Sequence, residues 1–301
     1  MISNVRLRSK VMRSGKASWT GEITAVFRAT ESIRPTQLRL FHAKYAANFL
    51  RPSFRLILKN RLLAKFVLWL MIDRRFPGAT DTVVARIRFV DDCLKDCIKE
   101  GIERLVILGA GYDSRAYRLN KLKSKRVFEV DHPNTQRLKK KKITKIFGSL
   151  PGHVTFVSVD FEKEKLMPKL SASGYRRDLK TLFIWEGVCK YLTPHAVNEL
   201  LSVVSGNSCG GSSIVFDYLF QSMVHISSGS KLAEKALKFQ AKKREPFIFG
   251  LPEKNPELLI ISRGFSLAKN FTAANIKRMY FKGMARAKNL HPSWGIIHAT
   301  V

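Results

Sequence analysis

The residues best able to do chemistry lie at four places between positions 109 and 186. Leu108-Gly109-Ala110-Gly111-Tyr112-Asp113-Ser114 is a glycine turn at the end of a short apolar run. Glycines there let the backbone pass close to a bound ligand, where a Cβ would collide. A dinucleotide turn would want a third glycine at position 114 to admit a pyrophosphate, and Ser114 and the bulky Tyr112 argue against one. Phe128-Glu129-Val130-Asp131 ends a second run, twenty residues past Gly111. An acid there can accept hydrogen bonds from both hydroxyls of an adenosine ribose, or can cap the helix expected after Pro133. The glycine turn upstream favours the ribose. Ser158-Val159-Asp160-Phe161 ends a third run. Asp160 can accept from the exocyclic amine of adenine while Phe161 covers a ring face. Phe183-Ile184-Trp185-Glu186-Gly187 adds a fourth rim acid. Acids repel phosphates but suit a sulfonium and an ammonium, so the set points to S-adenosylmethionine rather than NAD or ATP.

These positions need a sheet to align them. Apolar runs at Arg104–Leu108, Val127–Val130, Val154–Val159, Leu182–Trp185 and Ser213–Phe216 read as buried strands. Helical stretches at 134–146 and 195–205 separate them, which is the rhythm of a parallel, doubly wound α/β sheet. In such sheets ligands bind at the C-terminal ends of the strands, where all four candidates fall. An amphipathic helix runs from Thr82 through Val83, Ile87, Val90, Leu94 and Ile98 to Gly101. Residues 1–80 read as a basic, helical N-terminal cover, with apolar positions at helical spacing over Ala25–Glu31, Ala43–Leu50 and Phe54–Ile72. Residues 81–301 form the main domain. After Asp217 the pattern loosens into a 217–264 insert, with a basic helix near 231–243. Ile296–Val301 reads as a last strand closing the sheet.

Composition bounds the rest. The 301 residues are 45% apolar with 20 Phe, enough for a sizeable core and against a disordered polyelectrolyte. Phe66–Ile72, the longest apolar run, has seven residues, where roughly 18 are needed to span a bilayer. No apolar block follows the basic N-terminus, so no secretory signal or membrane insertion is expected and the cytoplasm is the expected location. The formal charge of +31 suits polyanions such as nucleic acid or anionic lipid. It is spread along the chain without an aromatic-interleaved stripe, so nucleic acid is a partner not favoured. Cys93 and Cys97, one helical turn apart, could hold half a metal site. No partner pair at ligand spacing accompanies them, and reduced thiols without a metal are expected for all four cysteines.

The motifs together carry a resemblance to a known family. The chain resembles the leucine carboxyl methyltransferase superfamily, most closely its prokaryotic branch of S-adenosylmethionine-dependent methyltransferases. The matching stretches are Thr24–Glu31, Val84–Asp92, Leu108–Leu119, Phe128–Pro133, Val159–Phe161, Trp185–Gly187 and Tyr191–Pro194. The resemblance implies a class I methyltransferase (Rossmann-like) fold: a doubly wound, mostly parallel seven-stranded sheet under an N-terminal helical cover. It implies that Arg86 pairs with the methionine carboxylate and that Arg28 is a second contact to it. Gly109 and Gly111 would underlie the methionine, Asp131 would hold the ribose, Asp160 and Phe161 the adenine, and Glu186 would lie near the ammonium. One departure is Ala43-Lys44, where the family usually has Asp-Pro before the residues matching Tyr45-Ala46.

An ionised carboxylate needs no general base to accept a methyl group, only alignment and exclusion of water. The seven histidines are scattered, His132 reads as structural, and neither an Asn/Asp-Pro-Pro-aromatic strand end nor a Pro-Cys pair is present. The expected reaction is therefore O-methylation of a carboxylate or similar oxygen on a small molecule or peptide, with no catalytic residue assigned. An RNA or other nucleic-acid methyltransferase and a non-catalytic S-adenosylmethionine-binding protein are the alternatives.

Overall fold

The computed structural model describes residues 19–224, 231–242, 245–284 and 290–301. The first eighteen residues of the expected cover, and part of the expected insert, lie outside the described residues. Seven strands form one sheet: β1 (Arg104–Leu108), β2 (Arg126–Asp131), β3 (Val154–Ser158), β4 (Thr181–Trp185), β5 (Ser213–Leu219), β6 (Leu267–Thr272) and β7 (Trp294–Thr300). Their spatial order is β3-β2-β1-β4-β5-β7-β6, and β7 runs antiparallel to both its neighbours. The last strand therefore lies inside the sheet, not at its edge. The edge strand β6, Leu-Ala-Lys-Asn-Phe-Thr, has no buried residue, so it lacks the apolar run by which the others can be read.

Strand alternation splits the core into two layers. Leu105, Ile107, Leu182 and Ile184 face one side, where they join α4 (Ala79–Lys99) and the N-terminal helices. Val106, Leu108, Phe183 and Trp185 face the other, against α7 (Leu166–Ala172), α8 (Pro194–Gly206) and Ile260. The cover shares its apolar layer with the sheet: Phe27 of α1 (Trp19–Ser32), Phe49 and Leu68 belong to the same cluster as Ile107.

Two local expectations change. Residues 54–72 do not form one helix but two, α2 (Pro52–Leu58) and α3 (Arg61–Leu68), followed by a π turn over Trp69–Asp73. The break falls at Asn60, whose side chain accepts from the backbone N–H of Leu62 and Leu63 and so caps α3. Over Ala43–Leu50 only Ala46–Phe49 is helical, as one 3₁₀ turn. The 217–264 insert also starts later than expected, because Asp217 lies within β5. The remaining helices are α5 (Arg115–Arg118), α6 (Pro133–Phe147), α9 (Lys231–Lys242), α10 (Pro256–Ile261) and α11 (Ala273–Tyr280). No described helix is long and apolar enough to cross a membrane.

Candidate functional site

The glycine turn after β1 is held from two sides. Gly109 and Gly111 have φ of +67° and +44°, the left-handed region that a side chain resists. A Cβ on Gly109 would fall 2.4 Å from Val188 Cγ2, so this glycine lets the turn pack on the loop after β4. A Cβ on Gly111 would meet nothing nearer than Gly109 O at 3.8 Å. Gly109→Ala should therefore destabilise the fold by about 1–3 kcal/mol, a strained φ plus a clash that Val188 must relieve. Urea unfolding would measure it, and an unchanged midpoint would sink the assignment.

Asp131, at the end of β2, orders the next turn. Its Oδ2 accepts from the Gly111 N–H at 2.5 Å and its Oδ1 from the His132 N–H at 2.7 Å. Burial raises its pKa while those two N–H donors oppose the rise. It does not cap α6, because the cap is His132, whose Nδ1 accepts from Asn134 N at 3.3 Å. His132 is thus structural at this point, as expected. Its Nε2 lies 4.0 Å from Asp160 Oδ2, and the Asp131 carbonyl accepts from Val159 N at 3.0 Å, so Asp131 and Asp160 end neighbouring strands on the rim. Asp160 Oδ1 accepts from Glu162 N at 3.2 Å. The half-buried Phe161 packs on the α7–α8 layer, where it lines a shallow groove with Leu166, Met167 and Leu200.

On the other side of the turn lies a buried network of both charge signs. Arg86 of α4 donates from Nε to Glu186 Oε1 at 3.1 Å and from Nη1 to Asp217 Oδ2 at 2.8 Å. Arg28 of α1 makes looser contacts, 3.4 Å to Tyr112 O, 3.5 Å to Glu186 and 3.6 Å to Asp113. Arg115 is the hub, donating to Asp91 at 2.7 Å, to Glu186 Oε2 at 2.6 Å and to Asp113. The structure thus brings Arg28, Arg86 and Glu186 together. Gly187, with φ +74°, keeps room for the Arg86 guanidinium, since a Cβ there would stand 3.2 Å from it. Sequence reasoning did not single out Arg115, Asp113, Asp91 or Asp217. Asp113 ends the glycine turn, Arg115 follows it, and Asp217 extends the pattern of one acid near each strand end, so all three carried a usable signal.

Burial would raise the Glu186 carboxyl, but the guanidiniums of Arg115, Arg86 and Arg28 pull it down to about 2. A carboxylate with a depressed folded-state pKa contributes stability that is complete above its ordinary value of 4.5 and is lost as pH falls towards 2. Wild-type unfolding free energy should therefore drop across that window, and Glu186→Gln should flatten the drop. Denaturant titrations along a pH series would show it. Equal pH slopes for the two proteins would overturn the pairing.

Beyond Glu186 lies a cation with an aromatic wall. Lys190 Nζ stands 3.8 Å from Asp217 Oδ2 and about level with two rings, 5.5 Å from the Tyr191 centroid and 5.6 Å from that of Phe247. Burial lowers its pKa, with Asp217 opposing. His291, just before β7, is also lowered, first by burial and then by the Lys190 charge. Its Nδ1 is enclosed without a hydrogen bond, while its backbone N–H donates to Thr82 Oγ1 of α4 at 2.9 Å.

Known proteins resemble the chain in sequence and in fold. The leucine carboxyl methyltransferase family matches residues 21–205. YktD of Bacillus subtilis, provisionally named an S-adenosyl-L-methionine-dependent methyltransferase, is 32% identical over 219 residues, covering 72% of each chain. A Mycobacterium marinum protein with the same provisional name is 32% identical over 163 residues, 54% of this chain and 51% of its own length. Among solved structures, a DUF574 family protein from Streptomyces avermitilis superposes with a TM-score of 0.56 at 9% identity, covering 95% of this chain and 98% of that one. A provisionally named methyltransferase from Thermobifida fusca gives 0.55 at 13% identity, covering 92% and 94%. At such identities the structures speak for the fold alone.

Proposed function

The chain belongs to the leucine carboxyl methyltransferase family and is an S-adenosylmethionine-dependent methyltransferase, and from that premise we propose that it methylates an oxygen acceptor, a carboxylate or a group like it. When bound, S-adenosylmethionine supplies an electrophilic methyl on a sulfonium. The residues present fit that cofactor. Asp131 spends one lone pair of each oxygen on a backbone N–H and retains lone pairs for ribose hydroxyls. The Arg28–Arg86–Glu186 cluster offers both charge signs to a zwitterionic amino-acid end. Arg28, held among the described residues by contacts of 3.4–3.6 Å, is the guanidinium free enough to turn towards a carboxylate. Asp160, at the end of the strand beside that of Asp131, would accept from the adenine amine, and Phe161 follows it in the chain.

The observation that carries the oxygen reading is Lys190. An enclosed ammonium against two aromatic rings can orient an acceptor carboxylate and exclude water, and a carboxylate acceptor has no proton to lose. A second reading rests on His291: its neutral, unbonded Nδ1 could take the proton of a hydroxyl acceptor instead. The two separate cleanly. Methyl transfer should be assayed over a panel of carboxylic acids, their alcohol analogues and RNA, with wild type, Lys190→Met and His291→Gln. Turnover of a carboxylate that falls roughly tenfold or more in Lys190→Met and survives in His291→Gln supports the first reading. Turnover of an alcohol that needs His291 supports the second. Transfer to RNA alone would overturn both.

A further inference from the structure

We infer that Cys93, Cys97 and His298 form a binding site for one zinc-type divalent ion, remote in role from the cofactor residues. Cys93 and Cys97 are four apart on α4 and share one helix face. Strand β7, running between β5 and β6, brings in His298 opposite Val215 and Lys269, a partner no spacing in the sequence could reveal. The two Sγ atoms and a ring nitrogen of His298 lie within 4.8 Å of one another. Nε2 of His298 is enclosed and makes no hydrogen bond, so it has a lone pair or a proton with nowhere to go. Cys97 is buried and Cys93 largely so, while the partly exposed His298 leaves an approach for the ion.

Two thiolates and an imidazole are soft and borderline donors of the kind zinc prefers, and three protein ligands leave a fourth place for water. From zinc–sulfur and zinc–nitrogen bond lengths, tetrahedral donors sit roughly 3.4–3.8 Å apart, so the side chains need close by only about 1 Å. Binding sends the two thiol protons to solvent, and the +2 ion then offsets the two thiolates. The ion would pin α4, which carries Arg86 and Asp91, to β7, one strand in from the β6 edge of the sheet.

The test uses the reduced full chain, stripped with a chelator and titrated with Co(II). One equivalent should raise a thiolate-to-cobalt charge-transfer band with tetrahedral d–d bands, and Zn(II) should displace it. Cys93→Ser and His298→Gln, neither at a fully buried position, should each weaken binding by roughly tenfold or more and dim the band. No band in the wild type, or an unchanged band in both variants, would overturn the site. The readout needs neither cofactor nor acceptor, so failure here leaves the methyltransferase reading standing, and failure there leaves this one.

A different surface supports an independent proposal: we propose that α2, α3 and the π turn rest on an anionic lipid bilayer. Leu56, Leu62, Leu63, Phe66, Trp69 and Leu70 are each at least 42% exposed, although Ala64, Leu68 and Ile72 already supply the face that packs on the core. A helix apolar on both sides calls for something to cover the outer one. The exposed cations Arg55, Lys59, Arg61, Lys65, Arg74 and Arg75 surround these side chains, and Asp73 is the sole acid between 51 and 75. Apolar anchors ringed by cations match a negatively charged lipid surface, on which such a segment lies without spanning it. Full-length protein should co-sediment with phosphatidylglycerol-containing vesicles, not with phosphatidylcholine alone, and added salt should release it. Exposed Trp69 should shift its emission to the blue on binding. The double variant Leu62→Glu/Phe66→Glu should lose vesicle binding by roughly tenfold or more. Equal binding by that variant, binding to RNA without binding to vesicles, or a dimer abolished by the same substitutions would overturn the proposal.

Discussion

Arg115→Met should cost about 3–5 kcal/mol of stability, the largest effect expected of any single substitution at the rim. Arg115 is 1% exposed and is shared by Asp91, Asp113 and Glu186, with a further bond of 3.3 Å to the Ile87 carbonyl. Removing it leaves three buried carboxylates short of a partner in a poorly solvated place, which is worse than never having built the network. Burial alone would lower the pKa of this guanidinium, yet Asp113, Glu186 and Asp91 raise it well above its ordinary value, so each supports the others' charge. Arg115→Lys should recover only part of the loss, since a single ammonium cannot reproduce the fork that reaches several oxygens. Chemical denaturation at neutral pH would measure both variants. A loss under about 1 kcal/mol for Arg115→Met would mean the network is far wetter than its enclosure indicates.

Asp131→Ala should weaken S-adenosylmethionine binding by about 1–3 kcal/mol, or about 5- to 150-fold. Two ribose hydrogen bonds would go, and so would the acceptors for the Gly111 and His132 N–H groups that hold the turn in shape. Asp131→Asn keeps one carbonyl oxygen and nearly the same volume, so it separates the two causes. Asparagine should preserve more of the fold's stability while still losing cofactor affinity. Calorimetric titration with S-adenosylmethionine and S-adenosylhomocysteine, paired with a urea curve for each variant, checks it. Undiminished affinity in a folded Asp131→Ala protein would remove the ribose role and leave only the turn.

Much of this protein could be read in one dimension. Five parallel strands and the helices between them follow from runs and periods a few residues long, because burial on both faces makes a central strand continuously apolar. The rim candidates at 109, 111, 131, 160 and 186 were legible for the same local reason: each sits at the end of such a run, where a parallel sheet gathers its ligands. Asn60 shows the limit of periodicity, since one capping side chain splits an apolar pattern that otherwise continues through it. Strand β6 shows another, because an edge strand with no buried residue is recognised only by the partner it pairs with.

Tertiary structure alone decided who pairs with whom. Arg86 meets Asp217 across 131 positions and Arg28 meets Glu186 across 158, and no short-range pattern encodes such separations. It also decided that Gly109 makes way for Val188 and that the final strand enters the sheet beside β5. That entry places His298 within reach of two cysteines some two hundred residues earlier. Sequence determined which residues stand at strand ends because that depends on local burial. Charge pairing, close approach and ligand sets depend on chain crossings, and those exist only once the sheet has assembled.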